Sequence, residues 1–301
     1  MRGPAEIIAI FGPTGVGKTA VAVALARRLR ERGEDPIAIS ADALQLYAGL
    51  ETLTGAPTAQ EQRELEHRLV GVAPATQTFS AGAYAKRAHA EIDGALQAGR
   101  RPIVVGGTGL YLRAALADLD LRPPPEPAIR ARWLQAVQQR GPEAVHAELA
   151  ARDPATAQAV DPHDRQRIVR ALELLDAGEN PPSGDELWTE DTRRPTVLFG
   201  LVQDREALYA AIDRRVDAIV AAGAREEVLR AAERGASGTA RKALGFEELL
   251  RGDVEAMKRN TRRLAKRQLT WMRKLPNVGL VDVTGREPDD VADELVDTLA
   301  S

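Results

Sequence analysis

The chain has 301 residues, 44% hydrophobic and 28% charged, an ordinary globular composition that suits one large domain or two small ones and can bury a full core. Its 41 basic and 44 acidic side chains leave a formal net charge of −3, so it is not a protein that coats nucleic acid non-specifically, and a nucleic-acid partner must be met by a local basic patch. There is no cysteine, which excludes disulfides, thiolate zinc sites, iron–sulfur clusters and cysteine nucleophiles, and His67, His89, His146 and His163 are too scattered to form a metal cluster.

The opening MRGPAEIIAIFG holds one basic residue and a five-residue apolar run, too short for a signal peptide. No segment approaches the roughly 20 apolar residues of a membrane span. The expectation is a soluble, cytoplasmic, monomeric protein without a membrane partner. Six of the basic residues are Lys and 35 are Arg, a compositional bias that lowers the weight of any single arginine.

Short β-branched runs at 7–11 (IIAIF), 36–40 (PIAIS), 68–72 (RLVGV), 102–106 (PIVVG), 196–202 (TVLFGLV) and 277–283 (NVGLVDV) read as strands. Apolar spacing and punctuation place helices at about 18–32, 80–99 and 108–116. Alternation of this kind implies an α/β fold: a phosphate-loop NTPase-like parallel sheet with helices on both faces. The proline-rich RPPPEP at 122–127 breaks the pattern, residues 128–178 read as all-helical, and NPPSGD at 180–185 closes the stretch. Residues 119–195 are therefore an all-helical insertion domain, and 1–118 with 196–301 form the core, mostly helical after 204.

Residues 12–19, Gly12-Pro13-Thr14-Gly15-Val16-Gly17-Lys18-Thr19, match G-x-x-x-x-G-K-[ST] between a buried strand and an amphipathic helix. Such a loop turns backbone N–H groups and a helix N-terminus towards a phosphate or pyrophosphate. Lys18 would reach the outer phosphates and the Thr19 hydroxyl would ligate Mg²⁺. No guanine-reading [NT]KxD motif is present, and no apolar strand runs directly into a magnesium-binding Asp. Instead the second strand ends in SADALQLY, residues 40–47, which puts Asp42 at the carboxyl edge of the sheet, where ligands bind in doubly wound folds. Asp42 as a helix N-cap is the plainer alternative. Gly106-Gly107-Thr108-Gly109 forms a second glycine-rich loop on the same edge, either a tight turn or a means of offering the Thr108 hydroxyl to the site.

Taken together these segments resemble the tRNA dimethylallyltransferases, also called tRNA isopentenyltransferases, over nearly the whole chain. GPTGVGKT is similar to the family's phosphate loop, SADALQLY to its D-S-x-Q-V-Y segment with Ala43 in place of Ser, and VGGTGLYLRA to its third segment. DPHDRQRIVRALEL (161–174), KALGFEELL (242–250) and AKRQLTWMRK (265–274) match its insertion and C-terminal signatures. Three departures stand out. Ala56 replaces a usual lysine, Ala211 precedes Ile212 where the family has arginine, and Glu66-His67-Arg68 lies where paired histidines are usual.

The resemblance implies transfer of a dimethylallyl group from its diphosphate to N6 of adenosine 37 in tRNA, beside the anticodon. Gly12 to Thr19 (with Pro13, Thr14, Gly15, Val16, Gly17 and Lys18) and Arg215 would hold the donor. Asp42, Lys18, Thr19 and Thr108 would be catalytic, with Asp42 the base for the N6 proton and Mg²⁺ held at Thr19. The tRNA anticodon stem-loop would meet Asp42, Ala43, Leu44, Gln45, Thr108, Arg130, Gln166, Arg167, Ile168, Val169 and Arg170. Gln45 would read the adenine edge, the base being flipped out of its stack. Residues 258–274 carry eight basic side chains and no acid, a further RNA-binding candidate or simply a solvated face. Trp271 reads as core more readily than as a stacking platform. A phosphate-loop kinase, a free-adenylate isopentenyltransferase and a nucleotide switch are the competing readings. The large insertion and the second basic surface disfavour the first two, and the missing guanine motif and magnesium aspartate the third.

Overall fold

The computed structural model describes residues 6–122, 126–181 and 186–300. Parts of RPPPEP and NPPSGD, at 123–125 and 182–185, lie outside the described residues. The chain forms two compact units, 1–118 with 190–301, and 119–189.

In the first unit β1 (Ile7–Phe11) leads through the phosphate loop into α1 (Lys18–Glu31). β2 (Pro36–Ser40) is followed by β3 (Tyr47–Ala48), α2 (Glu51–Thr54), α3 (Ala59–Glu64), β4 (His67–Arg68), β5 (Ala73–Pro74) and α4 (Ala81–Gln97). β6 (Arg101–Gly106) and α5 (Gly109–Leu116) then lead out of this unit. The second unit holds α6 (Pro127–Arg140), α7 (Pro142–Arg152), α8 (Pro154–Ala159) and α9 (Arg165–Asp176). The chain returns with β7 (Thr196–Val202), α10 (Arg205–Ala221), α11 (Ala224–Glu233), α12 (Phe246–Leu250), α13 (Val254–Met272), β8 (Val278–Asp282) and α14 (Pro288–Ala300).

Six strands form a parallel sheet in the order β4-β2-β6-β1-β7-β8. All five residues of β1 and of β2 are buried, as continuous apolar strands in a covered parallel sheet require. Helices pack around the sheet, α1 against α14 and α4 against α5. One core cluster joins the sheet to its helices through Ile8, Ile10, Leu25, Ile103, Phe199 and Ile212. Among the described residues no helix is long and apolar enough to cross a membrane.

Two expectations need correction. The strand read at 68–72 is not continuous: β4 stops at Arg68, Leu69 and Gly71 both take a φ of 62°, and β5 pairs separately with β3. The apolar run is diverted because the Gly71 and Ala73 N–H groups bond to the carbonyls of Gln45 and Leu46. The insertion also ends at 189 and not at 195. Residues 190–195 belong to the first unit, where the Arg193 N–H donates to the Leu116 carbonyl (2.8 Å) and Pro195 accepts from Glu6 and Ile7. The Arg193 guanidinium adds pairs to Asp93 (2.8 Å) and Asp118 (3.1 Å).

The second unit has its own core, in which Trp133, Val145, Leu149, Ile168, Val169 and Leu172 interlock. α9 starts where the Asp164 carboxylate caps the N–H groups of Gln166 and Arg167.

Candidate active site at the phosphate loop

The loop between β1 and α1 is a cradle of inward-turned backbone. Gly15 and Gly17 take φ near 88°, a left-handed conformation in which a side chain would be strained, and Gly17 caps α1. Lys18 folds over the cradle, its Nζ donating to the carbonyls of Gly12 and Pro13 at 2.9 Å each. Burial of the ammonium lowers its pKa from 10.5 to about 8; the Asp42 charge works against that drop and Arg215 adds to it. Val16 is buried and helps anchor the turn. Thr14 gives its N–H to the Gln268 side chain at 2.8 Å.

Asp42 leaves the end of β2 on the same edge. Its Oδ1 accepts the Leu44 N–H at 2.9 Å, so it closes a turn over 43–46 and does not cap a helix. Thr108 stands at the start of α5, and its Oγ1 accepts the Ala43 N–H at 3.4 Å, joining the second glycine loop to the Asp42 turn. Gln45 is engaged at both ends. Ser40 Oγ donates to its Oε1 at 2.9 Å, and its Nε2 donates to the Gly55 carbonyl at 3.2 Å. An adenine edge would have to compete with those bonds. Tyr47 is core: it is 1% exposed and its hydroxyl donates to Thr239 at 2.7 Å. Tyr84 and Tyr111 pack as a tilted pair with ring centroids 4.5 Å apart, and burial raises the Tyr84 pKa and pushes Tyr111 up to about 12.

A crevice of about 760 Å³ collects Lys18, Thr19, Asp42, Gln45 and Arg215 on one set of walls. Arg215 enters from α10, one helical turn beyond Ala211, and its guanidinium donates to the Thr54 carbonyl at 3.1 Å. Burial lowers its pKa, against the pull of Asp42 and Glu61. Val216 and Ile219 of α10, Met257 and Leu264 of α13, and Leu53 supply an apolar wall. That wall and Gln268 were not legible as site residues from the sequence, and the 54–57 segment entered only through the departure at Ala56. Gln268 did carry a signal: it is a polar residue on the buried stripe Met257-Thr261-Ala265-Gln268-Met272 of α13. Trp271, one turn further on, is half-buried against Gly109, so it packs and is not an open stacking platform. Among the described residues no group of three or more His, Asp or Glu could hold a metal ion. Oxygen donors on the crevice wall include Ser40, Asp42, Glu51 and Glu61 as well as Thr19, which follows Lys18 at the end of the phosphate loop.

The insertion residues gather separately within the second unit. Arg130 donates to Glu173 at 2.9 and 3.2 Å and to Gln166 at 3.2 Å. Arg170 lies 3.6 Å from the same carboxylate and donates to the Arg122 carbonyl. Glu173 is fully buried, so one enclosed carboxylate holds two arginines. Arg167 is exposed beside Asp164. Ile168 and Val169, taken as RNA contacts from the resemblance, have 0% exposure. Their side chains fill the helical core because they fall on the inward face of α9, and they cannot touch a ligand. On α13, Lys258 and Arg262 are tied to Asp217 and Asp213 of α10, while Arg259, Lys266 and Arg267, and Arg273 just past its end, are exposed without an ion pair among the described residues.

Known proteins give a consistent match. The tRNA dimethylallyltransferase of Thermobifida fusca is 42% identical over 284 residues, covering 90% of this chain and 88% of that one. That of Kineococcus radiotolerans is 38% identical, covering 97% and 96%. Among solved structures, the full-length tRNA isopentenylpyrophosphate transferase of Bacillus halodurans superposes with a TM-score of 0.71 at 32% identity, over 98% of this chain and 96% of that one. A family model described as IPP transferase matches residues 45–275, a span that runs from Gln45 on the crevice wall to just beyond Trp271 on α13. With that span matched and relatives aligned along almost its full length, the chain belongs to the IPP transferase family.

Proposed function

We propose that this enzyme transfers a dimethylallyl group from dimethylallyl diphosphate to the exocyclic N6 of adenosine 37 in tRNA, releasing pyrophosphate. The observation that carries the reading is the composition of one crevice: a phosphate loop with an enclosed ammonium, a carboxylate at the facing strand end, and an apolar wall. A prenyl diphosphate needs both ends of that space.

In the reaction the bond from N6 to the allylic carbon forms as the bond from that carbon to the diphosphate oxygen breaks. Lys18, the loop N–H groups and Arg215 stabilise charge building on the departing pyrophosphate. Arg215 supplies the positive charge that Ala211 lacks. Asp42 has Oδ1 on the Leu44 N–H, and Oδ2 takes the N6 proton as nitrogen attacks. Thr108 fixes the Asp42 turn through Ala43. The residues present suit Mg²⁺, a hard cation that keeps several waters and substrate oxygens, with the Thr19 hydroxyl as the protein donor. Bound there, Mg²⁺ would supply charge neutralisation for the diphosphate. Arg130, Gln166, Arg167 and Arg170 of the insertion, and the unpaired cations of α13, are the surfaces that would grip the phosphates of the anticodon stem-loop.

The test is incubation with labelled dimethylallyl diphosphate, Mg²⁺ and either tRNA, AMP or ATP. Label in tRNA is the expected result; label in AMP or ATP alone, or no transfer, refutes the reading.

A further inference from the structure

α13 reaches the crevice floor with one side chain that touches both of its loops. Gln268 is 8% exposed. Its Oε1 accepts the Thr14 N–H of the phosphate loop at 2.8 Å, and its Nε2 donates to the Gly107 carbonyl of the second glycine loop at 2.8 Å. The amide is therefore used at both ends, once as acceptor and once as donor, on two loops whose sequence positions lie 93 residues apart.

The approach leaves no slack. A Cβ at Gly107 would overlap Gln268 Nε2, and a Cβ at Gly109 would overlap the Trp271 ring. Gln268 and Trp271 lie three apart on one face of α13, so the helix clasps the backbone on either side of Thr108. Thr108 in turn holds the Ala43 N–H beside Asp42. A chain of direct contacts thus runs from the donor loop, through Gln268, to Thr108 and the acceptor edge.

We propose that Gln268 is the positioning residue that sets the separation between the diphosphate cradle and the Asp42–Thr108 edge. The inference rests on the prenyl-transfer reading above. The reacting carbon is fixed by the first loop and the nitrogen by the second, and a misplacement of about 1 Å costs on the order of 10²-fold in rate. Both ends of the Gln268 amide are spent on the two loops, so its loss acts on the transfer step and spares the binding of each reactant.

The experiment compares single-turnover transfer of labelled dimethylallyl to tRNA, at saturating donor, for wild type, Gln268→Met and Gln268→Glu. Met matches the volume and removes both bonds. Glu keeps an acceptor for Thr14 and loses the donor to Gly107, and its conservative shape serves if the Met variant does not fold. Expected is a rate loss of roughly 10–10² for Met and a smaller one for Glu, with pyrophosphate and tRNA dissociation constants within about threefold. Combining Gln268→Met with Thr108→Val should give a loss well short of the product of the two, because the second change removes a group the first has already displaced. A wild-type rate, a loss mirrored in pyrophosphate affinity, or strictly multiplicative losses overturns the proposal. Should wild-type protein transfer nothing to tRNA, the functional reading itself fails; an active wild type with unaffected Gln268 variants removes only this inference.

Discussion

Lys18 offers the sharpest quantitative test, because the fold holds its ammonium against its own preference. Burial lowers its pKa from 10.5 to about 8. A group with that value is ~90% protonated at pH 7 and ~10% at pH 9, and only the ammonium can bind an outer phosphate oxygen. Binding of pyrophosphate with Mg²⁺ should therefore weaken about tenfold from pH 7 to pH 9, about 1.4 kcal/mol, and take up close to ~0.9 proton at pH 9. Calorimetry in two buffers of different ionisation enthalpy measures both quantities. Lys18→Met supplies the ligand's own titration for subtraction. A lysine of ordinary basicity would keep its charge across this range, so a flat difference between pH 7 and 9 would falsify the enclosed-ammonium account. The same shift has a stability consequence. The folded value lies below the unfolded one, so the penalty is fully present below pH 8 and is relieved as pH rises from 8 to 10.5. Lys18→Met should accordingly stabilise the ligand-free protein at pH 7, by up to roughly 3 kcal/mol.

Three further outcomes are expected. Asp42→Asn should slow single-turnover transfer by about 10²–10⁴ while leaving the binding of both substrates nearly unchanged; an unaltered Mg²⁺ dependence marks the base role, an upward shift a ligand role, and a wild-type rate removes both. Replacing Arg167 and Arg170 with Gln should reduce the log–log salt slope of tRNA binding by roughly 1–2, and an unchanged slope removes them from the RNA-binding surface. Glu173→Gln should lower the stability of the insertion by roughly 2–3 kcal/mol in thermal unfolding, less than for a fully buried pair because Arg130 and Arg170 keep 37% and 30% of their side-chain exposure. A melting curve that matches wild type would show that the carboxylate is dispensable.

The phosphate loop, Asp42 and the parallel strands were legible because each is a local signal, with spacing, punctuation and composition confined to a short window. What failed was non-local. The run 68–72 has strand composition, yet its backbone is claimed by the carbonyls of Gln45 and Leu46, a partner that composition does not reveal. Ile168 and Val169 sit inside a segment that the resemblance marks as functional, while the helix period turns them inward. Gln45 has the right chemistry to read adenine, but Ser40 and Gly55 occupy both ends of its amide. Gln268 stood in a recognised motif without a role, since only the packing of α13 over two glycine loops gives it one.

The strand order also bears on how the chain is made. β1 sits inside the sheet between β6 and β7, yet β7 begins at Thr196, after the entire insertion has been synthesised. At ~5–20 residues per second, the nascent chain waits on the order of ten to forty seconds between release of β1 and arrival of the strand that covers its second edge. The insertion is contiguous and rich in local contacts, so it can complete its core while the phosphate-loop sheet is still missing two strands. During that interval the edge of β1, IIAIF, is an uncovered apolar template of the kind that recruits other strands. Truncations that end shortly before residue 196 should therefore depend on chaperones far more than the full-length chain does.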